Sequence, residues 1–384
     1  MANTLTNLLP NLYASLDVVS REMVGLIPAV TIDARVNRVA LNQTVYVPIA
    51  PANTAGGDIT PAMSVPAAAD QTIGNASIAI SKSRAFPFSW EGEEQGGLDS
   101  GPGYAAIRNN QIVQAMRAAV NEVEADLAAL HVNFSRAYGT AGTTPFGTAG
   151  DFTDASETLA ILKKNGAPMS DNQLVLDSAA AAKFLGKQVN SSVRFTDDIM
   201  TSGILGTITG MNLRESGQIL TSTAGTASGA TTNNAGYAVG TTSLTLASAG
   251  TGTLVAGDVV TFAGDTNKYV ITSGDTDVSN GGTITIAAPG LRVAMSAATK
   301  AITVVAAAAR NMAFNRSAIV LATRMPMRPT EGDMALDVAT ITDPRSGLSF
   351  EVSMYPGYRK VRYEIALAWG VKVIKPEHTA LLLG

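Results

Sequence analysis

One stretch, Tyr104 to Tyr138, limits what this chain can become more than any other, because it contains neither glycine nor proline and keeps a single apolar period throughout. Ile112, Met116, Val120, Val123, Leu127, Leu130 and Phe134 recur at spacings of four, four, three, four, three and four. At about 100° per residue these positions fall within roughly 80° of arc, so the spacing predicts one continuous helix with a narrow apolar face. At about 1.5 Å per residue it would run about 50 Å, longer than an ordinary core requires, and it reads as a spine on which other elements lie. The opposite face carries Ala118, Ala125, Ala128 and Val132, small enough for another backbone or a neighbouring subunit to approach closely.

The segments before the spine change period. Leu5, Leu8, Leu9, Leu12, Leu16 and Val19 sit at helical spacing, interrupted at Pro10, so residues 1–36 are expected to form an amphipathic arm that docks on its own core or on a neighbour. From Val36 to Trp90 the period is two. Thr44 to Ala50 reads as a strand whose Pro48 suggests an edge. Ser77 to Trp90 reads as one long strand with Ile78, Ile80, Lys82, Arg84, Phe86, Phe88 and Trp90 on one face. The Ala-, Pro-, Gly- and Thr-rich segment Pro51 to Gly74 joins them, so residues 37–98 are expected to form an extended hairpin. In a monomer such a hairpin is an aggregation liability; in an assembly it can embrace a neighbour, with Phe86, Phe88 and Trp90 as candidate inter-subunit contacts.

After the spine the pattern is α/β. DASETLAILKKNGAP reads as a helix with Asp154 or Ser156 at its start and Gly166 and Pro168 at its end; NQLVLD is a short buried strand and SAAAAKFLGK a second helix. Near Leu220 the composition turns to Thr, Gly, Ser and Ala. The short runs TSLTLA, DVVTFAG, KYVIT and TITIAA between turns predict a small antiparallel barrel or sandwich over residues 221–309. NMAFNRSAIVLATR then resumes the earlier character, which makes the β unit an insertion in an α/β domain of residues 139–220 and 310–345. In the last part Phe350, Val352 and Met354, then Val361, Tyr363, Ile365, Leu367 and Trp369, alternate with period two. These strands are expected to cross the apolar stripe, uniting residues 99–138 with 346–384.

Chemistry is sparse. The chain has no cysteine and two histidines, His131 and His378, at no ligand spacing to each other or to a carboxylate pair. No Gly-x-Ser-x-Gly elbow occurs, and Gly101-Pro102-Gly103 lacks the third glycine and following Lys-Ser/Thr of a phosphate loop. Glu91, Glu93 and Glu94, and the Asp275-Thr276-Asp277 fragment of a calcium loop, read as solvated loop charges. No catalytic, cofactor-binding or metal-binding residue is therefore assigned, and no enzyme activity or cofactor is expected. Arg359, Lys360 and Arg362 form the one tight basic cluster, suited to carboxylates on a partner or, less well, to phosphate. With 15% charged residues and a formal net charge of −4, the surface suits repeated subunit contact and does not suit a polycation that coats nucleic acid. No basic residue precedes Arg21 and no apolar run approaches a membrane span, so a soluble, cytoplasmically made protein is expected.

Arm, long hairpin, spine helix, α/β domain and returning C-terminal strands, in that order, resemble the tailed-phage major capsid proteins of the Hong Kong 97-type fold. NMAFNRSAIVLATRMP and IALAWGVKVIKPE are similar to the corresponding segments of coat proteins of Salmonella short-tailed phages, which carry a β-barrel inserted at the same place. The resemblance implies an α+β subunit with residues 37–98 as the E-loop, 99–138 and 346–384 as the peripheral domain, and 139–220 with 310–345 as the axial domain. It further implies an icosahedral shell of hexamers and pentamers, assembled in a host bacterial cytoplasm with a scaffolding protein and a portal, and enclosing double-stranded DNA through weak contacts. No Lys–Asn crosslink pair can be placed, and none is expected. An encapsulin-type compartment shell, or a β-rich adhesin or surface-layer protein, are the alternatives.

Overall fold

The computed structural model describes residues 23–35, 37–49, 61, 74–98, 104–148, 151–188 and 204–384. The amphipathic arm up to residue 22, the tip of the extended hairpin and the Gly101–Gly103 joint lie outside the described residues.

In chain order, a short 3-10 turn (Ile27–Ala29) leads to β1 (Thr31–Ala34), then β2 (Thr44–Ile49) and β3 (Gly74–Ala79), which pair antiparallel with Val45 opposite Ile78. The alternating run Ser77–Trp90 is two strands and not the single one expected. At Ile80 the chain leaves the ladder, and β4 (Lys82–Glu91) begins a different pairing. The cause lies far away in sequence: the kink crosses directly over Gly370, where a Cβ would lie 2.1 Å from the Ala79 carbonyl oxygen. A side chain there would force the crossing open, so glycine fixes where the strand breaks.

Helix α1 (Gly92–Leu98) precedes α2 (Tyr104–Ala129), the spine. The spine is shorter than the sequence period suggests. Leu130–Asn133 tightens into a 3-10 turn, Phe134 is extended at φ −82° and ψ 154°, and Arg136–Gly139 is strand β5. His131 Nδ1 lies 3.0 Å from the Ala128 carbonyl oxygen and Phe134 N–H donates to His131 O, serving carbonyls that a helix end leaves without partners. The remaining helix is about 39 Å long.

Then follow α3 (Thr153–Lys164), β6 (Asn172–Leu176), α4 (Ser178–Gln188), β7 (Ile204–Ile208) and β8 (Met211–Glu215). Asp151, and neither Asp154 nor Ser156, serves the start of α3, its Oδ1 accepting from Thr153 N at 2.8 Å, while Asp154 in the first turn accepts from Phe146 N at 2.7 Å. The Thr/Gly-rich part contributes β9 (Thr221–Ser222), β10 (Ser243–Leu246), β11 (Val259–Phe262), β12 (Lys268–Ser273), β13 (Gly282–Ile286) and β14 (Ile302–Val304). The chain closes with β15 (Ala308–Asn315), β16 (Ile319–Arg324), β17 (Asp337–Thr342), β18 (Ser349–Gly357), β19 (Lys360–Val373) and β20 (Thr379–Leu383).

Two sheets organise the body. The first runs β1-β16-β19-β18-β17, with β4 also on β19. Its inner face lies across the spine: Phe350, Val352, Ile365, Leu367 and Trp369 share one core with Ile112, Met116, Val120, Val123, Leu127, Leu130 and Phe134, all of them 9% exposed or less. Each such side chain, fully buried, contributes about 1.5–3 kcal/mol, so this layer dominates the stability of the body. The outer face of the same sheet, at Val320, Ala322 and Ala368, takes the root of the β2–β3 hairpin through Val45, Ile78 and Ile80. The second sheet runs β10-β13-β12-β5-β20-β15-β6-β8-β7, with α3 and α4 over a core that includes Leu159, Leu162, Phe184, Leu174, Leu213 and Leu382. The C-terminal part is thus divided, since β19 belongs to the first sheet while β20 lies between β5 and β15 in the second.

Residues 223–306 gather a core of their own, including Leu244, Leu246, Val260, Phe262, Tyr269, Ile271, Ile284 and Ile286. Tyr269 brings a hydroxyl into it, satisfied by donating to Asp265 Oδ2 at 2.6 Å and accepting from Arg292 N at 2.9 Å. This unit is stitched to the body. β12 pairs with β5, and Arg136 reaches both Asn267 Oδ1 at 2.9 Å and Asn165 Oδ1 at 3.0 Å.

Candidate functional site

The residues that the sequence marks for contact divide into inward and outward sets. Phe86, Phe88 and Trp90 alternate along β4 and turn toward the spine. Phe86 and Phe88 pack against the main core, Phe88 stacks on Tyr363 at 5.4 Å between centroids, and Trp90 Nε1 donates to Gln111 Oε1 at 2.6 Å. They are half-buried within their own subunit. Ser83, Ala85, Pro87 and Ser89 on the opposite side of β4 are exposed, because alternate residues of a strand point to opposite sides.

Arg359, Lys360 and Arg362 are exposed at the tip of the β18–β19 hairpin. The turn has two central residues, Tyr358 and Arg359, and Arg359 takes φ 55°, in the left-handed region that non-glycine residues seldom adopt. Tyr358 is 90% exposed beside them, an aromatic that the basic cluster alone did not bring to notice. Arg362 Nη2 lies 2.9 Å from Glu364 Oε2, and Gly92 N donates to Arg359 O at 3.2 Å, so the acidic start of α1 adjoins the same tip. Glu94 accepts there from the Glu91 amide at 3.0 Å.

Behind the tip, β4 is fixed to the spine by a charged network that sequence spacing does not reveal, because its members come from three distant segments. Lys82 Nζ meets Glu122 Oε1 at 3.0 Å and Asp126 Oδ1 at 2.8 Å, while Trp369 Nε1 donates to Asp126 Oδ2 at 2.8 Å. Burial opposes the charge on Lys82, but hydrogen bonds to Asp126 and Glu122 outweigh it and hold the ammonium above its ordinary value. Burial likewise opposes ionisation of Glu122, and contacts with Lys82 and Arg84 overcome it and lower that carboxyl. A second network lies on the outer face of the first sheet, where Glu351, 3% exposed, pairs with Arg38 and with Arg328 Nη2 at 2.9 Å.

Among the described residues no three His, Asp or Glu side chains gather to hold a metal ion, and no helix is long and apolar enough to cross a membrane. Burial lowers the pKa of both His131 and His378. Asp275 and Asp277 are engaged locally: Asp275 Oδ1 accepts from Asp277 N at 2.8 Å, and Asp277 Oδ1 accepts from Ser279 N at 3.1 Å.

No family model matches the sequence, and no curated protein matches it. Solved structures do match. The capsid structure of the cyanophage P-SCSP1u aligns at a TM-score of 0.50 with 10% identity, covering 95% of this chain and 89% of that one. The capsid of the native GTA particle aligns at 0.46 with 10% identity, covering 95% and 91%, and the mature capsid of bacteriophage PhiM1 at 0.44 with 10% identity, covering 95% and 87%. Over nearly its whole length the chain has the α+β fold of Hong Kong 97-type phage capsid subunits.

Proposed function

We propose that this chain is a major capsid protein, the coat subunit that tiles the icosahedral shell of a tailed bacteriophage around its double-stranded DNA. The observation that carries the reading is the full-length correspondence with the cyanophage capsid structure, at a sequence identity of 10%, too low for local motifs to produce it. In this reading the protein's task is geometric and not catalytic. Residues 37–98 act as the E-loop, residues 99–138 and 346–384 as the peripheral domain, and residues 139–220 with 310–345 as the axial domain. The unit of residues 221–309 takes the place of the inserted domain of the Salmonella short-tailed phage coat proteins. Hexamers and pentamers form in the host cytoplasm with a scaffolding protein and a portal, and the mature chain resides in the virion.

Many weak contacts suffice for such a shell, since closure multiplies small interface energies. The exposed tip bearing Tyr358, Arg359, Lys360 and Arg362 is one such contact, directed at carboxylates of a neighbouring copy. Negative-stain microscopy of the purified protein, alone and co-expressed with a scaffold, tests the reading: closed shells of uniform size are expected, and small monodisperse particles in both preparations would overturn it.

A further inference from the structure

Arg310 alternates along β15 with Ala308 and Met312, which face the main core, and it is 2% exposed. A guanidinium carries five N–H donors and no acceptor. None of Arg310 Nε, Nη1 and Nη2 has a hydrogen-bond partner among the described residues. Burying a charge on those terms is costly, so the donors call for a partner that is not one of those residues. Two acceptors with capacity to spare stand near them. Asp258, wholly buried on the inserted unit, acts favourably on the charge of Arg310. Its Oδ1 accepts from Gly225 N at 2.8 Å and its Oδ2 from Val255 N at 2.8 Å, which leaves a lone pair on each oxygen. His131, in the turn that ends the spine, is the second. Its Nδ1 lies 3.0 Å from Ala128 O, and a carbonyl can only accept, so in the neutral ring Nδ1 holds the proton and Nε2 a lone pair. Nε2 faces the inserted unit, since a Cβ on Gly257, next to Asp258, would lie 3.1 Å from it. Burial, and in smaller part the charge of Arg310, outweigh the Ala128 bond and favour that neutral ring.

We infer that Arg310, Asp258 and His131 enclose a binding site for ordered water, which carries the hydrogen bonds between β15, the inserted unit and the end of the spine. These three elements meet in one core through Met312, Val259 and Leu130. The chemistry of the walls selects the ligand. It has to accept from Arg310 and also donate to the Asp258 carboxylate and to His131 Nε2. A halide accepts but cannot donate, and Asp258 repels it; a metal cation is repelled by Arg310. Water is neutral and does both, and a buried water typically makes about three hydrogen bonds, one for each wall here. Such a bridge is nearly as favourable as a direct hydrogen bond. The inserted unit is thus joined to the body in two ways. At β5 Arg136 grips it directly through Asn267 Oδ1 at 2.9 Å, and at Arg310 it is held through solvent.

Crystals of the full chain grown with bromide in place of chloride, at a resolution that shows ordered water and with data collected at the bromine absorption edge, test the site. At least one water peak is expected within about 2.6–3.2 Å both of an Arg310 nitrogen and of an Asp258 carboxylate oxygen or His131 Nε2, with no anomalous signal. An anomalous peak against Arg310 would make it an anion site and overturns the proposal. A guanidinium in direct contact with Asp258 or a carbonyl oxygen, or one with no peak linking it to either acceptor, overturns it as well. These outcomes need no variant to fold. Arg310→Met, similar in length and without donors, should lose the linking peak; a peak retained in the same place would show that Arg310 does not hold it, against the proposal.

Discussion

Placing a charge at Val123 tests whether the spine stripe carries the body as the packing requires. Val123 is 0% exposed among Val120, Leu127, Phe350 and Ile365. Val123→Asp forfeits about 1.5–3 kcal/mol of apolar burial and adds the cost of a carboxyl without a designed partner, several kcal/mol more whether it ionises or stays protonated. The sum, about 5 kcal/mol, approaches the whole stability of an ordinary domain, about 5–15 kcal/mol. Ala125→Asp is the control, because Ala125 lies two residues away on the exposed side of the same helix; it loses up to about 0.7 kcal/mol of helix propensity that Val123→Asp does not, so the comparison understates the cost of the buried charge. Urea unfolding of the soluble subunits, followed by far-ultraviolet circular dichroism, compares the two. Val123→Asp should be poorly soluble or unfold at least about 3 kcal/mol earlier than Ala125→Asp. Equal midpoints for the two variants, or normal soluble shells from Val123→Asp, would refute the assignment of the stripe to the core.

Glu351→Ala should cost about 3–5 kcal/mol in denaturant unfolding, because it strips both Arg38 and Arg328 of a buried partner; a loss under 1 kcal/mol would mean that water replaces the carboxylate freely. Reversing Arg359, Lys360 and Arg362 together to Glu should leave subunit stability within about 1 kcal/mol, since all three are exposed, yet reduce the yield of closed particles by microscopy. Residues 223–306, expressed alone, should give dispersed β-type amide shifts, because they enclose their own core and their ends are brought together where Ser222 pairs with Ala308. A collapsed spectrum would show that the β5 pairing and Arg136 are needed to hold the unit folded.

How far the sequence can be read depends on whether the information is local. The stripe from Ile112 to Leu127 reports a helix face directly. Its continuation through Leu130 and Phe134 misleads, because those side chains reach the same core from a 3-10 turn and an extended residue, and a spacing of three or four does not distinguish a helix from a chain that turns beside it. The alternation from Ser77 to Trp90 likewise runs unbroken across Ile80, although the strand ends there for want of a side chain on Gly370. The aromatic residues of β4 were visible as one face, but which face meets solvent was decided by the spine behind them. Glu124 carried no sequence signal. A glutamate in a long helix ordinarily faces water, and only the arrival of Leu26 and Ile27 makes it an acceptor inside the core.

The position of the last two long strands also sets an order of events in folding. β19 lies between β16, β18 and β4, and β20 lies between β5 and β15, so each sheet is centred on a strand from the final twenty-five residues described. Strands β4, β5, β15, β16 and β18 each have an edge that only β19 or β20 fills, and the apolar stripe of the spine stays uncovered until β18 and β19 lie across it. Nucleation therefore depends on closing very long loops, such as that joining Arg136 to Ala380, which slows folding and prolongs the exposure of unpaired edges. Until β19 and β20 are in place those edges stay open to other copies of the chain, and a chaperone that shields them during refolding from denaturant should raise the yield of native subunit.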